Sequence, residues 1–249
     1  MEEKEVQKRS FLVRLKAISE QKWFVQTLPI VFLALLVVFF AITTKGRFMD
    51  SKILLIVFKQ ALIVGTVATG ASFIYASGNV NIAMGATTIL TATVVAMIYN
   101  ATENFLLMFV SAILISVAIM VVSVLLSTVF NVRVMFVTIV MMTLLRAIQD
   151  TLLGGGFLGV PYKLVSGLTD NNYSTIAFVV FFVAAIFLFH FTPIGRSLKM
   201  LGTNDQNAFQ TGIVKSKYLL IAFIIAGIGA GLASIMVIEI EVLLGIKGI

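Results

Sequence analysis

The chain has 249 residues, of which 60% are hydrophobic and only 12% are charged, and its mean hydropathy is +1.09. A soluble domain has about 25% charged residues, so this composition excludes a soluble protein. The net charge of +7 is not arranged as a basic stripe with interleaved aromatic residues, which argues against nucleic-acid binding. With no cysteine and one histidine, we expect no disulfide framework, no Cys or multi-His metal site and no cofactor.

The N-terminal segment, residues 1–23, is polar and basic. Within it Phe11, Leu12, Leu15 and Ile18 recur at helical spacing among Lys and Arg. This pattern predicts an amphipathic helix on the cytoplasmic membrane surface, and a flexible charged tail is the alternative. No cleavable signal is expected, because the first apolar run follows more than twenty polar residues without a small-residue cleavage pattern.

Residues 24–249 contain a series of apolar runs that can each cross a ~30 Å hydrocarbon core, which requires about 20 residues. The seven runs are Phe24–Thr43, Ile53–Ala76, Ile82–Tyr99, Phe105–Phe130, Val132–Ile148, Thr175–Phe191 and Tyr218–Ile238. With the N-terminus inside, eleven Lys and Arg residues face the cytoplasm and five face outward, which the positive-inside rule favours. We therefore predict an all-α polytopic membrane protein with about seven transmembrane helices.

A few residues inside these runs have predicted roles in packing or ion pairing. Lys59 is expected to extend its ammonium group to the outer interface, and Arg146 to pair with Asp150 four residues later. Gly227 and Gly231 have the spacing that lets two membrane helices approach closely.

The segment Ser77–Gly85 interrupts the apolar pattern between the second and third runs. Asn79 and Asn81 lie there in apolar surroundings, where amides need hydrogen-bond partners or a water-lined cavity. Two interpretations remain open. The two amides either line a path through the membrane or cap broken helix ends around Gly78 and Gly85.

A polar loop between the sixth and seventh runs predicts two short helices. Arg196–Leu201 forms the first, which is expected to stop at Gly202. The second, near residues 203–212, starts with the capping-box spacing of Thr203 and Gln206. A helix of roughly eight residues is marginal alone in water, so it is expected to dock against another surface.

Asp205 and Gly212 mark the two ends of that second helix. Asp205 lies in its first turn, where a carboxylate suits the positive end of the helix dipole, and Gly212 supplies its stop. An ordinary capped cytoplasmic loop is the alternative interpretation.

This loop, GRSLKMLGTNDQNAFQTGI, together with the following KSKYLLIAFIIAGIGAGLAS, resembles the coupling segment and next span of bacterial ABC importer permeases of the ribose and branched-chain amino-acid type. The resemblance implies that the segment docks into a groove of an ATPase subunit. The coupling residues would be Thr203, Asp205, Gln206, Asn207, Ala208 and Gly212. Ala208 and Gly212 keep the family pattern, whereas Gln206 and Asn207 stand where it prefers Glu and Ala.

The upstream segment SGNVNIAMG is similar to the family's Gly-Gly-Ile-Asp-Leu-Ser-Val-Gly element, which lies beside the substrate path. This similarity implies path roles for Gly78, Asn79, Asn81 and Gly85. Asn79 replaces a glycine and Asn81 replaces the acidic residue, and neutral amides suit a neutral hydroxylated solute. The two motifs and the spans between them cover roughly residues 50–240.

The resemblance implies the permease subunit of an ATP-driven importer that moves a small neutral solute, most readily a sugar, across the bacterial inner membrane. The expected partners are ATPase subunits, a second permease subunit and an extracytoplasmic solute-binding protein. No Walker sequence occurs, so the chain is not expected to be an enzyme itself. Alternatives are a branched-chain amino-acid or nucleoside permease, a non-transport membrane scaffold, or an intramembrane enzyme.

Two further expectations concern the loops and the length. The glycine-rich segment 149–173 is expected to face outward, either as a landing surface for a binding protein or as a flexible connector. Permeases of this type usually have about ten spans, so residues 24–249 are expected to be a C-terminally truncated permease domain, or else this member of the family is short.

Overall fold

A computed structural model describes residues 22–154, 168 and 172–246, and all regular structure in this part is helical. A short 3-10 helix, Arg47–Met49, follows the first α-helix. The α-helices are α1 (Lys22–Thr43), α2 (Ser51–Ala76), α3 (Met84–Thr102), α4 (Phe105–Val129), α5 (Val134–Leu153), α6 (Tyr173–Phe191), α7 (Pro193–Thr203), α8 (Asp205–Gln210) and α9 (Lys215–Ile246). The predicted all-α class is confirmed.

Within the described part, six helices are long and apolar enough to cross a membrane, namely α2 to α6 and α9. They correspond to six of the seven predicted runs, and the protein is a multi-pass membrane protein. The remaining run, the first along the chain, forms α1, whose described apolar portion, Thr27–Thr43, is shorter than the other six helices. The predicted amphipathic helix and most of the predicted glycine-rich loop lie outside the described residues.

The chain divides into two compact units, Met1–Val57 and Phe58–Ile249. In the first unit, α1 exposes most of its apolar side chains, as a lipid-facing helix does. Gly46, just before the 3-10 helix, has a φ of +82°, a left-handed conformation that glycine adopts readily.

The second unit is built around α9, whose membrane segment is 72% buried. This helix packs against α3 and α4 along its length. A Cβ atom at Gly227 would lie 2.7 Å from the Cα atom of Val117, and one at Gly231 would lie 2.6 Å from the Ser116 hydroxyl oxygen. The Ser116 hydroxyl also donates to the Gly227 carbonyl at 2.7 Å. The predicted close packing at these two glycines is confirmed.

Helix α2 runs antiparallel to α9. Gly70 of α2 lies against the backbone of Ala226, where a Cβ atom would be 3.0 Å from the Ala226 Cα atom. Nearer the start of α2, the Thr66 hydroxyl lies 3.6 Å from the sulfur of Met236. Residues early in α2 therefore meet residues late in α9.

Helices α5 and α6 are each only 17% buried in their membrane segments. Their exposed side chains are mostly apolar, which suits contact with lipid. The predicted pairing of Arg146 with Asp150 on α5 is wrong: both side chains are exposed, and the described part of the chain contains no ion pair between them.

The loop after α6 differs from the prediction at its first break. Helix α7 begins with Pro193, behind the side-chain cap of Thr192, and continues through Gly202 to Thr203. The helix therefore does not end at Gly202. It ends at Thr203, and the next residue, Asn204, has an extended backbone conformation.

The predicted capping box at the start of the next helix does not form. The Thr203 hydroxyl donates to the Lys199 carbonyl at 2.9 Å, so Thr203 belongs to α7. The following helix, α8, is shorter than predicted, at six residues. The side chains of residues 205–207, which include the predicted contacts of Asp205, Gln206 and Asn207, lie outside the described residues.

Candidate functional site

The turn from Ser77 to Ala83 connects α2 with α3 and carries three of the predicted path residues. Gly78 has a φ of +76°, a left-handed conformation that lets the chain reverse directly after α2. The half-buried Asn79 folds back on this turn. Its amide nitrogen donates to the Ser77 carbonyl and to the Ser77 hydroxyl, both at 3.1 Å. Asn79 therefore stabilises the turn in which it lies.

Asn81 is 4% exposed and lies just before α3. Its side-chain oxygen accepts from the backbone N–H of Ala83 at 2.8 Å, and its amide nitrogen lies 3.2 Å from the Met120 sulfur. The adjacent backbone N–H of Ile82 donates to the Thr138 hydroxyl at 3.3 Å. The bond from Ala83 to Asn81 closes a turn just before α3, whose N-cap residue Ala83 has no side-chain cap. Together these contacts tie the start of α3 to α4 and α5.

Gly85 faces a different space from Asn79. It lies in the first turn of α3 and lines an open, apolar groove of about 420 Å³ between α2 and α3, with Ile63, Val67 and Tyr75 on the opposite wall. The predicted path residues are thus neighbours in sequence but do not converge on one cavity.

The turn after α2 also contacts α7 through backbone atoms. A Cβ atom at Gly202 would lie 2.3 Å from the carbonyl oxygen of Ala76 and 3.1 Å from the nitrogen of Gly78. Such distances leave no room for a side chain, so the close approach requires glycine. The path segment and the coupling segment of the sequence are in direct contact here.

Helix α7 is amphipathic. Leu198 and Leu201 are buried against the bundle, while Arg196 and Lys199 are exposed. The Lys199 ammonium lies 4.6 Å from the centroid of the Phe189 ring, a cation–π contact. The apolar face fixes α7 to the membrane helices, the contact of Lys199 with Phe189 of α6 adds to this attachment, and Arg196 stays exposed.

Two neighbouring side chains of helix α8 differ in their exposure to solvent. Ala208 is completely buried, whereas Phe209 is 81% exposed. After the helix, Gly212 has a φ of +78°, and the N–H groups of Gly212 and Ile213 donate to the carbonyls of Phe209 and Ala208, both at 3.0 Å. Gly212 thus supplies the predicted stop, and it leaves Phe209 projecting from the surface.

A cavity of about 480 Å³ opens beside α8. Its polar lining includes Asn79, Asn131, Arg133 and Lys215, and Phe209 forms part of its edge. The predicted path residue Asn79 therefore shares a cavity with α8, the predicted coupling helix. Two cations and two amides make this space suitable for polar or anionic groups.

A second polar site lies far from α8, near the start of α2. Lys59 is 5% exposed and Glu239 of α9 is fully buried, and their side chains form an ion pair. The Ser174 hydroxyl of α6 donates to the other carboxylate oxygen. The prediction that Lys59 extends to the interface is wrong, because the antiparallel packing of α2 and α9 brings a carboxylate to it within the bundle.

Comparison with known proteins decides the family. The sequence profile of a family described as "branched-chain amino acid transport system / permease component" matches residues 53–242. The chain belongs to this permease family. The match runs from the start of α2 almost to the end of α9, and so contains the turn after α2, the coupling helices and the buried ion pair. The family resemblance seen in the two motifs is confirmed.

Three relatives are permease proteins named for autoinducer 2, ribose and L-arabinose. The autoinducer 2 import system permease protein of Yersinia enterocolitica is 29% identical over 185 residues, which are 72% of this chain and 51% of the relative. The ribose import permease protein of Escherichia coli is 24% identical over 220 residues, 82% of this chain and 67% of the relative. The L-arabinose ABC transporter permease protein of Azospirillum brasilense is 23% identical over 190 residues, 70% of this chain and 53% of the relative.

The permease chain therefore spans about half to two thirds of the length of these relatives. No solved structure matches it.

Sequence reasoning missed three residues that the structure singles out. Glu239 and Ser174 complete the environment of Lys59, and Phe209 projects from α8. A cation near the start of one span and an anion near the end of an antiparallel neighbour lie at the same depth, but the sequence does not show that α2 and α9 are neighbours. Phe209 could have been found as the one aromatic residue of the coupling motif.

Proposed function

We propose that this chain is the transmembrane permease subunit of an ATP-driven ABC importer that carries a small neutral solute, most readily a sugar, across the bacterial inner membrane. Membership of a permease family supports the class. The relatives named for ribose and L-arabinose support the solute class. A branched-chain amino acid is the alternative solute, favoured by the family's own description.

The orientation follows from the charges. When α1 is counted as a span together with α2 to α6, six spans precede α7 and α8. With the N-terminus in the cytoplasm, these two helices then also lie on the cytoplasmic side. Arg196 and Lys199 then point into the cytoplasm, as the positive-inside rule favours. The partners are ATPase subunits below, a second permease subunit beside the chain, and a solute-binding protein outside.

The observation that carries the proposal is the geometry of α8. A six-residue helix is held on the bundle by a buried alanine, while the adjacent Phe209 is 81% exposed. Burying such a phenylalanine contributes about 1.5–3 kcal/mol, so an aromatic side chain in this position is a natural anchor for a soluble partner. In this proposal Phe209 inserts into the groove of the ATPase subunit.

The same geometry suggests how movement reaches the membrane. When ATP binding closes the ATPase dimer, α8 is displaced, and α7 moves with it. The contact of Gly202 with Ala76 then displaces the turn after α2, which holds the start of α3 through Asn81. Energy enters the permease as motion of α8, and this chain performs no chemistry on the solute.

The test is co-purification of the ATPase subunit of the same transport system with a Phe209→Ala permease. Loss of 1.5–3 kcal/mol corresponds to about a ten- to hundredfold weaker association. Membrane insertion should be unchanged, because the side chain contacts little of the chain itself. Leu106→Ala is the matched control: Leu106 is 70% exposed at the opposite end of the bundle, and its removal should leave association intact. Normal retention of the ATPase by Phe209→Ala would contradict docking through α8.

A further inference from the structure

Three side chains from three helices form a buried polar cluster, which we call the ion-pair cluster: Lys59 of α2, Ser174 of α6 and Glu239 of α9. They are 5%, 1% and 0% exposed. Lys59 occupies one carboxylate oxygen of Glu239, and the Ser174 hydroxyl donates to the other. Its ion pair joins α2 to α9 within the bundle.

Stability alone does not account for this cluster. Taking two charges out of water is costly, and replacing a buried pair by well-packed apolar residues is often neutral or stabilising. Ionisable side chains within membrane spans are rare and generally mark functional sites. The surrounding helices also pack against one another through apolar side chains and small residues. These contacts can hold the helices together without the ion pair.

The hydrogen bonding of the cluster is also incomplete. The Lys59 ammonium has three N–H donors, and one of them is directed at Glu239. The hydroxyl of Tyr173, the residue before Ser174, is buried and has no hydrogen-bond partner within the described part of the chain. A saturated network would rigidify the bundle, whereas an unsaturated one gains hydrogen bonds when water or a hydroxylated solute enters.

The cluster lies at the end of the bundle opposite the coupling helices. From Lys59 to Ala76, where α2 meets α7, the helix rises about 25 Å at 1.5 Å per residue. With α7 and α8 in the cytoplasm, an orientation that rests on the proposed function, the cluster lies in the outer half of the membrane. An importer must keep its outer end closed whenever its inner end is open.

We infer that Lys59, Glu239 and Ser174 close the outer end of this permease by holding α2, α6 and α9 together. The three are positioning residues. In the closed state they exclude water from the bundle, and they separate when the outer end opens to admit solute. Charge pairing suits this role, because water entering the opened end solvates both ions and lowers the free energy of the open state.

The chain has no cysteine, which permits a direct test. A cysteine replaces Thr66, which is completely buried and lies about two turns of α2 further inward than Lys59. Sealed cells expressing the permease with its ATPase partner are treated with a membrane-impermeant maleimide. Thr66→Cys should react slowly in the parent chain. It should react at least tenfold faster when Glu239→Gln or Lys59→Met is added, since a lone buried charge draws water into the outer end.

The exchange of charges provides the rescue. Lys59→Glu combined with Glu239→Lys restores an ion pair and should return the labelling of Thr66→Cys close to the parent rate. The inference is wrong if Glu239→Gln and Lys59→Met leave the labelling rate of Thr66→Cys unchanged. It is also wrong if they raise the rate and the charge exchange does not lower it again.

Two further cysteines separate closure from other causes. Ser123→Cys, at a site 1% exposed in the cytoplasmic half of α4, should stay unreactive in every variant. If its labelling rises together with that of Thr66→Cys, the ion pair only holds the fold and the inference is wrong. Ser216→Cys, exposed at the start of α9, should stay unlabelled from outside. Labelling of Ser216→Cys from outside would refute the proposed orientation, and with it the inference that the cluster closes the outer end. Labelling limited to Thr66→Cys supports the orientation and the closure.

Discussion

At the coupling end of the bundle, α2 meets α7 through backbone atoms at Gly202, whereas at the opposite end α2 meets α6 and α9 through a charged and hydroxylated cluster. The first contact is steric and leaves no space for a methyl group. The second is electrostatic and depends on the absence of water. A steric contact transmits displacement, and an ionic contact can be opened and closed, so the two ends suit different tasks.

The largest expected effect is at the steric contact. Gly202→Ala places a methyl group 2.3 Å from the Ala76 carbonyl oxygen, and a backbone atom cannot turn away as a side chain can. Overpacking of this kind costs about 1–3 kcal/mol, which should appear as a lower melting temperature of the purified permease in detergent. Gly85→Ala is the control, because nothing lies within 4 Å of the added atom. Equal melting temperatures for the two variants would show that α7 and the turn are not tightly coupled.

An intermediate effect is expected at Asn81, in the turn before α3. Asn81→Ala removes the acceptor for the Ala83 N–H, and the loss of this hydrogen bond should lower the free energy of unfolding by about 0.5–1.5 kcal/mol. Asn79→Ala, at a half-buried site, should cost less. Uptake measured on the same variants distinguishes the two interpretations of these amides. Slower uptake by Asn81→Ala at unchanged stability would favour a role of Asn81 on the solute path over a role in holding the turn before α3.

The smallest effect is expected at the electrostatic end. Ser174→Ala removes one hydrogen bond to Glu239 but leaves the ion pair, and polar contacts between membrane helices average about 0.6 kcal/mol. Thermal unfolding in detergent should therefore show a small decrease. Ser72→Ala, which removes a hydroxyl bonded only within α2 at an exposed site, should show none. If Ser174→Ala lowered the melting temperature as much as Gly202→Ala, both ends of the bundle would be rigid. The steric and the ionic contact would then not differ in the way described above.

The membrane helices could be predicted because a span needs only a sufficient length of apolar residues. Six predicted runs became helices of membrane-crossing length, and the break around Gly78 appeared where the polar residues interrupt the pattern. The turn at Gly212 was equally accessible, since a left-handed residue after a short helix is a local property of the backbone.

Contacts between distant segments could not be read in the same way. Lys59 and Glu239 are 180 positions apart, and hydropathy does not tell which helices become neighbours. Gly202 was interpreted as a helix stop, but its importance is steric and arises from Ala76, which belongs to another span. Phe209 was overlooked because one apolar side chain in a polar loop is unremarkable until its exposure is known.

The length and continuity of helix α9 have a mechanical consequence. It is 32 residues long without an internal proline, which corresponds to about 48 Å and exceeds the ~30 Å thickness of the hydrocarbon core. Lys215, beside the cavity next to α8, and Glu239, in the ion-pair cluster, are therefore carried on one continuous rod. Backbone hydrogen bonds make such a rod stiff along its axis, so a push on its Lys215 end moves the Glu239 carboxylate by the same distance.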